Sequence, residues 1–201
     1  MSAELKQKKK LTPEEYLELE EKAEYKSEYW DGVMVPLHGD PPELVGASES
    51  HNLIALNIAV QFRLKLNERC RTYVNDMKVW VESWKRFFYP DVALVCGERK
   101  FYNNKRTAVE NPILLVEVLS NSTEAKDRGE KFRAYRALNM FQEYLLVSQD
   151  KAVIEQFVKQ DDGSWKLWAT IGLESTITLF SVGIELKFSD IYESVEFEVE
   201  D

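Results

Sequence analysis

The segment Ile113-Leu114-Leu115-Val116-Glu117-Val118-Leu119 constrains this chain more than any other. It is apolar at every position but one, the pattern of a strand buried on both faces. Such a strand belongs inside a sheet covered on both sides, which excludes a sheet wetted across one whole face. The exception, Glu117, becomes a carboxylate inside a core strand. That placement is costly unless the acid is paired or bound to a cation.

A second acid is similarly placed. Asp91 follows Pro90 and opens the apolar run Val92-Ala93-Leu94-Val95-Cys96. Two acids on neighbouring core strands, followed by a basic helix, point to a shared site. Paired carboxylates on adjacent strands suit a hard divalent cation: Mg²⁺ takes one or two carboxylates and fills its shell with water and phosphate oxygens. Such an ion polarises a phosphodiester and lowers the pKa of an attacking water.

Charge at first speaks against a polyanionic substrate. The chain of 201 residues carries 26 Lys+Arg and 35 Asp+Glu, a formal net of -9. The distribution reverses part of that inference. Residues 1–60 sum to -6 and residues 137–201 to -9, whereas residues 61–136 sum to +6. The cationic third contains both Asp91 and Glu117. The acidic total therefore limits non-specific affinity for DNA without excluding DNA as a substrate.

The length predicts one α/β domain over residues 11–195, between a basic tail (1–10) and an acidic tail (196–201). Leu11-Thr12-Pro13-Glu14-Glu15 reads as a helix start with Thr12 as N-cap, the helix running to about Lys22. Asp31-Gly32 between short apolar runs predicts a hairpin. Pro41-Pro42 and Gly46 mark a loop, and a long helix follows from Ser50 to Leu66. Strands are expected at Thr72–Asp76, Lys78–Glu82, Asp91–Cys96, 113–119, Glu143–Ser148, Ala152–Lys159 and Trp165–Ile171. A helix capped by Asn121 or Ser122 should run to about Leu138, with Phe132, Tyr135 and Leu138 on one face.

Cys70 and Cys96 are too few for a disulfide framework. The basic N-terminus has no apolar stretch behind it, and no run approaches the length of a bilayer span, so a reduced cytoplasmic protein without membrane contact is expected. Two histidines, His38 and His51, and two lone cysteines cannot build a zinc site of usual spacing. The chain has no phosphate-cradling glycine loop, no dinucleotide fingerprint and no nucleophile elbow.

Three stretches carry a resemblance: Tyr89-Pro90-Asp91, then Leu115 to Ser120, then Ser122-Thr123-Glu124-Ala125-Lys126-Asp127-Arg128-Gly129-Glu130-Lys131-Phe132. Glu28-Tyr29-Trp30-Asp31-Gly32, Ser50 to Ile54 and Gln142 to Val147 extend it over residues 11–195. Together they resemble the large nuclease family expanded in cyanobacteria, of the PD-(D/E)XK restriction-endonuclase-like superfamily.

The resemblance implies a restriction-endonuclease-like α/β fold, a mixed central sheet flanked by helices. It implies a Mg²⁺-dependent DNA endonuclease, with Mn²⁺ as a substitute, acting as a homodimer. Asp91 and Glu117 would be the metal ligands and Glu28 an accessory acid. The superfamily lysine two residues after the acid is replaced here by Leu119, which makes Lys131 of the following helix the candidate. Helix and strand rises set Lys131 level with Glu117, whereas Lys126 falls nearly two turns away. The simpler role for Lys131 is a surface pair with Asp127. A catalytically inactive binding or scaffold protein that keeps the fold is the rival reading, which Leu119 and the acidic total favour.

Overall fold

A computed structural model of the chain describes residues 10–37 and 47–197. Most of the basic tail, His38, the Pro41-Pro42 and Gly46 loop signals and the end of the acidic tail lie outside the described residues. The elements run α1 (Pro13–Glu20), β1 (Ser27–Trp30), β2 (Val33–Pro36), α2 (Glu49–Lys65), β3 (Cys70–Val74), β4 (Lys78–Val81), β5 (Arg86–Phe88), β6 (Val92–Cys96), β7 (Ala108–Val109) and β8 (Leu114–Leu119). Then come α3 (Glu124–Lys126), α4 (Phe132–Tyr135), β9 (Glu143–Ser148), β10 (Val153–Lys159), β11 (Trp165–Ile171), β12 (Thr176–Leu179), β13 (Ile184–Lys187) and α5 (Phe188–Ile191).

Strand β8 is interior, as its composition requires. It pairs antiparallel with β6 and parallel with β9 in a six-stranded mixed sheet of order β11-β10-β9-β8-β6-β3. Its two faces bury different partners. Val116 and Val118 pack with Val92, Leu94 and the helix α2 residues Ile54, Ile58 and Phe62. Those helix positions recur every four residues, so one stripe meets the sheet. Leu115 and Leu119 pack on the opposite side with Tyr135, Leu138 and Phe141.

That opposite side is also covered by a second sheet, of order β2-β1-β5-β4-β7. It sends Val79, Val81 and Phe88 into the same cluster as Ala93, Val95 and Leu115. The mixed central sheet flanked by helices is the expected one; on the side facing α4 the second sheet shares the covering layer with the helix. Strand β5 escaped detection because three residues carry too little periodicity. The hairpin β12–β13 closes over the α2 side with Ile177, Leu179 and Leu186.

Local signals at the N-terminus are borne out. Thr12 Oγ1 accepts the Glu15 N–H at 3.1 Å while Glu15 Oε2 accepts the Thr12 N–H at 2.8 Å. This reciprocal capping box satisfies two backbone donors that the helix leaves unpaired. Asp31 (φ 42°) and Gly32 (φ 97°) form the β1–β2 turn, where positive φ at both residues matches the strand twist.

Two expectations are corrected. The helix predicted from Asn121 or Ser122 to Leu138 is broken: Thr123 caps it, and a π-helical turn at Asp127–Lys131 separates α3 from α4. The two cysteines, too few for a framework, pair with each other. Antiparallel register sets Cys70 opposite Cys96, with Cα atoms 4.0 Å apart, and a disulfide joins them. Only strand pairing creates that proximity, since 26 residues separate them in the chain. Among the described residues, no helix is long and apolar enough to cross a membrane.

Candidate functional site

Alternation along β8 places Glu117 on the same face as Leu115 and Leu119, toward the broken helix. The β6–β8 register runs Val92↔Val116 and Ala93↔Leu115. Continued by one residue, it sets Asp91 beside Glu117. Asp91 thus ends the ladder: its Oδ2 accepts the Val118 N–H at 2.7 Å, a group left free by the neighbouring strand. Its Oδ1 lies 2.9 Å from Nε2 of His51, in the first turn of α2. Ser48 caps that turn by accepting the His51 N–H at 3.1 Å.

Glu117 is buried and fully engaged. Its Oε2 accepts from Lys131 Nζ and its Oε1 from the Tyr135 hydroxyl, each at 2.9 Å. Lys131 Nζ also lies 2.9 Å from Asp127 Oδ1 and 3.8 Å from Glu28 Oε1. Glu28 reaches this point from β1 of the other sheet and is fully buried. Its Oε2 accepts from Trp30 Nε1 at 3.1 Å and from Lys126 Nζ at 3.3 Å.

The structure thus brings together Glu28, Glu117 and Lys131, with Asp91 next along the register. The Asp127–Lys131 pair also forms, but inside the protein, where both side chains are almost inaccessible. Lys126 is corrected: it does not stand clear of the site but pairs with Glu28, because β1 extends that carboxylate toward the start of the helix. Tyr135 was read from the sequence only as a core position; its hydroxyl is the part that periodicity cannot reveal. Leu119 explains the displaced lysine. It shares the Glu117 face and is buried in the apolar cluster, so the cation arrives on the same face from the helix packed against it.

Burial pushes the Glu117 carboxyl well above its ordinary range; Lys131 opposes this, while Asp127 and Asp91 add to it. Burial acts to lower the Lys131 ammonium, but Asp127, Glu117 and Glu28 outweigh it, so its proton is held more tightly than usual. The Tyr135 phenol is raised by burial and then by Glu117 and Glu28.

Three carboxylates, Glu28, Glu117 and Asp127, therefore face two lysines, while a fourth, Asp91, next to Glu117 in the register, is paired with His51. Asp127 Oδ1 stays buried with no hydrogen bond, since Lys131 approaches it outside hydrogen-bonding direction. This surplus of hard anionic oxygen fits a divalent cation in charge and donor type. Asp91 and Glu117 are the residues that could hold it, since each oxygen retains lone-pair capacity beyond its present bond. Among the described residues no three His, Cys, Asp or Glu side chains form a ready metal cage. A site completed by water and phosphate oxygens does not require one.

A cleft of about 1270 Å³ lies at the C-terminal ends of the parallel strands β8 and β9, lined by Leu119 and Ser120 of the β8 end but by none of the four carboxylates. Ser120, Asn121, Ser148 and Gln149 line its mouth, with Leu119 and Leu146 below. Arg128 borders it but is held by Glu124 and Glu155, each at 2.6 Å.

Matches to known proteins give the family and the fold. Residues 13–189 match the Uma2 family, described as "Putative restriction endonuclease". Two proteins of Synechocystis sp. (strain PCC 6803), both named as uncharacterized, are similar over most of their length. Protein sll1609 is 37% identical over 168 residues, covering 83% of this chain and 91% of the relative. Protein slr1290 is 36% identical over 190 residues, covering 94% of each. A crystal structure from Anabaena variabilis, described as a "putative nuclease belonging to DUF820", superposes with a TM-score of 0.68. It shares 16% identity and covers 90% of this chain and 97% of its own. The mixed six-stranded sheet, its covering layers and the placement of acids at its centre have the restriction-endonuclease-like fold, and the chain belongs to the Uma2 family.

Proposed function

We propose that this protein is a Mg²⁺-dependent endodeoxyribonuclease that hydrolyses phosphodiester bonds in DNA as a homodimer, with Mn²⁺ able to replace Mg²⁺. One observation carries the reading: Glu28, Glu117 and Lys131 converge from three separate elements, and Asp91 stands across from Glu117. Nothing in packing demands that four carboxylates share one region, because their mutual repulsion is costly in a core.

Asp91 and Glu117 would hold the cation, which would supply Lewis acidity at the scissile phosphate and a more acidic water. The chain's own groups divide the rest. Lys131, kept protonated by its acidic neighbours, offers N–H donors to the attacking water or to charge developing on phosphate oxygens. Glu28 and Asp127 hold that ammonium in place. The Tyr135 hydroxyl fixes one Glu117 oxygen and so the orientation of the carboxylate. His51 does the same for Asp91, with the Val118 N–H as the second anchor. Leu119 and Leu146 exclude water from below.

Nicking of supercoiled plasmid with Mg²⁺, Mn²⁺ or EDTA tests the proposal. Metal-dependent nicking should disappear in Asp91→Ala and Glu117→Ala, and full activity in both would refute it. A second reading, an inactive binding or scaffold protein on the nuclease fold, has one observation in its favour. Every oxygen of Asp91 and Glu117 already has a protein donor, so folding leaves no bare ligand. Calorimetric titration with Mn²⁺ separates the two: absence of binding to the wild-type protein favours the scaffold.

A further inference from the structure

We propose that the end of the six-stranded sheet opposite the carboxylates is a second binding site, an arginine cluster that takes phosphates of the DNA backbone. The β3–β6 ladder runs from Val74↔Val92, next to Asp91, to Cys70↔Cys96. Five pairs at strand rise separate the ends by about 13–17 Å. At the far end Arg69 and Arg71 flank Cys70, and Arg99 follows Cys96 and Gly97. These three arginines, with Glu68 and Gly97, line a concavity of about 320 Å³. A second concavity of about 600 Å³ shares Gly97 and Arg99 and adds Lys100 and Arg106 together with two acids, Glu98 and Glu110.

The cluster is built rather than loose. The Gly97 N–H donates to the Arg69 carbonyl at 2.8 Å, tying the two arginine-bearing segments together. The disulfide joins the same segments one residue away. The Arg71 guanidinium is held by the carbonyls of Glu68 and Cys70, the latter at 3.0 Å, which restrains its fork before any ligand arrives. Arg69, Arg99 and Arg106 make no side-chain hydrogen bond or ion pair among the described residues. A side chain at Gly97, which has φ +82°, would meet nothing within 4 Å, so the rim is open.

Guanidinium forks match phosphate geometry; Arg71 is restrained in advance, and Arg69 and Arg99 have their donors uncommitted. The span to Asp91 corresponds to about four or five base pairs, at one phosphate per 3.4 Å on each strand. A duplex cleaved at the carboxylates would therefore pass its backbone over this cluster. These cations also supply attraction that the net -9 of the chain withholds. The inference rests on the nuclease reading, and it adds where the backbone is gripped away from the reacting bond.

The test is fluorescence anisotropy of a labelled 20-base-pair duplex in EDTA, over a series of salt concentrations. It uses the full chain, Arg69→Ala/Arg99→Ala and Arg69→Lys/Arg99→Lys. In the alanine variant the affinity should fall at least tenfold in low salt. Its salt slope should fall by about 2, the value for two lost phosphate contacts. The lysine variant should recover the slope but only part of the affinity, since charge remains and the fork is gone. With Mg²⁺, the alanine variant should raise KM for nicking and leave kcat unchanged.

Equal affinity and slope in wild type and alanine variant, with wild-type nicking intact, would overturn this site alone. No duplex binding and no nicking by the wild type would overturn it together with the nuclease reading. A calorimetric arm with inorganic phosphate decides the source of the anion. If the alanine variant loses phosphate binding but keeps its DNA affinity, the cluster serves a free anion and the proposal is overturned.

Discussion

Replacing Lys131 by Met removes one charge, keeps most of the volume and leaves Glu28, Glu117 and Asp127 buried around an apolar side chain. The distances set the scale: two carboxylates at 2.9 Å and a third at 3.8 Å lose their common counter-charge. Breaking a buried ion pair in this way costs about 3–5 kcal/mol. For a domain of this size that is roughly 6–20 °C of melting temperature.

The loss must depend on pH, and its sign follows from Glu117. Its folded carboxyl lies well above the ordinary 4.5, so the folded state binds an extra proton in that window. Stability therefore falls as pH rises from about 4.5 toward the folded value. Without Lys131 the folded value moves higher still, so the deficit of the variant widens with pH. The raised Lys131 ammonium itself contributes fully below its unfolded value and loses that contribution only in strong alkali.

Thermal melts followed by circular dichroism at pH 5 and pH 8 check this. The gap between Lys131→Met and wild type should be larger at pH 8 than at pH 5, because the raised Glu117 carboxyl takes up its proton as pH falls. A gap equal at both values would mean that Lys131 acts through packing alone. No gap at either would refute the buried-charge argument.

Three further outcomes are expected. Asp91→Asn keeps an acceptor for Val118 N–H and His51, so its melting point should stay near wild type while Mg²⁺-dependent nicking is lost; retained nicking would remove Asp91 from the site. Gly32→Ala must hold φ near +97° with its Cβ 2.6 Å from Lys10 Cβ, and should lose at least ~1 kcal/mol in denaturant titration. Reducing the Cys70–Cys96 disulfide reopens a loop closed across 26 residues, worth about 3.5 kcal/mol in the chain-entropy picture. A dithiol reductant should lower the melting point, and Cys70→Ser/Cys96→Ser should melt like the reduced protein with no further response to reductant.

Legibility followed the range of the interactions. Thr12, Pro13 and the two acids after them announced α1 because N-cap, first-turn proline and dipole preferences all act within one turn. Asp31-Gly32 announced the hairpin because positive φ at two positions is a property of those residues. The helix after β8 was only partly readable. Its apolar face at Tyr135 and Leu138 was visible, but the π-helical turn was not, since Asp127 and Lys131 turn inward only where Glu117 and Glu28 await them. The pairing of Cys70 with Cys96 was invisible for the same reason: it depends on which strand lies beside β3.

The sequence by itself determined that 113–119 lies inside a two-sided core, that Glu117 needs a partner there, and that the cations gather in the middle third of the chain. These follow from composition and period, which are local. Only the tertiary structure decided that Asp91 stands beside Glu117, that the Lys131 ammonium points inward onto Glu117 and Asp127, and that Glu28 joins from a second sheet. Those outcomes rest on register and layer packing, where a shift of one residue would turn each side chain to the other face.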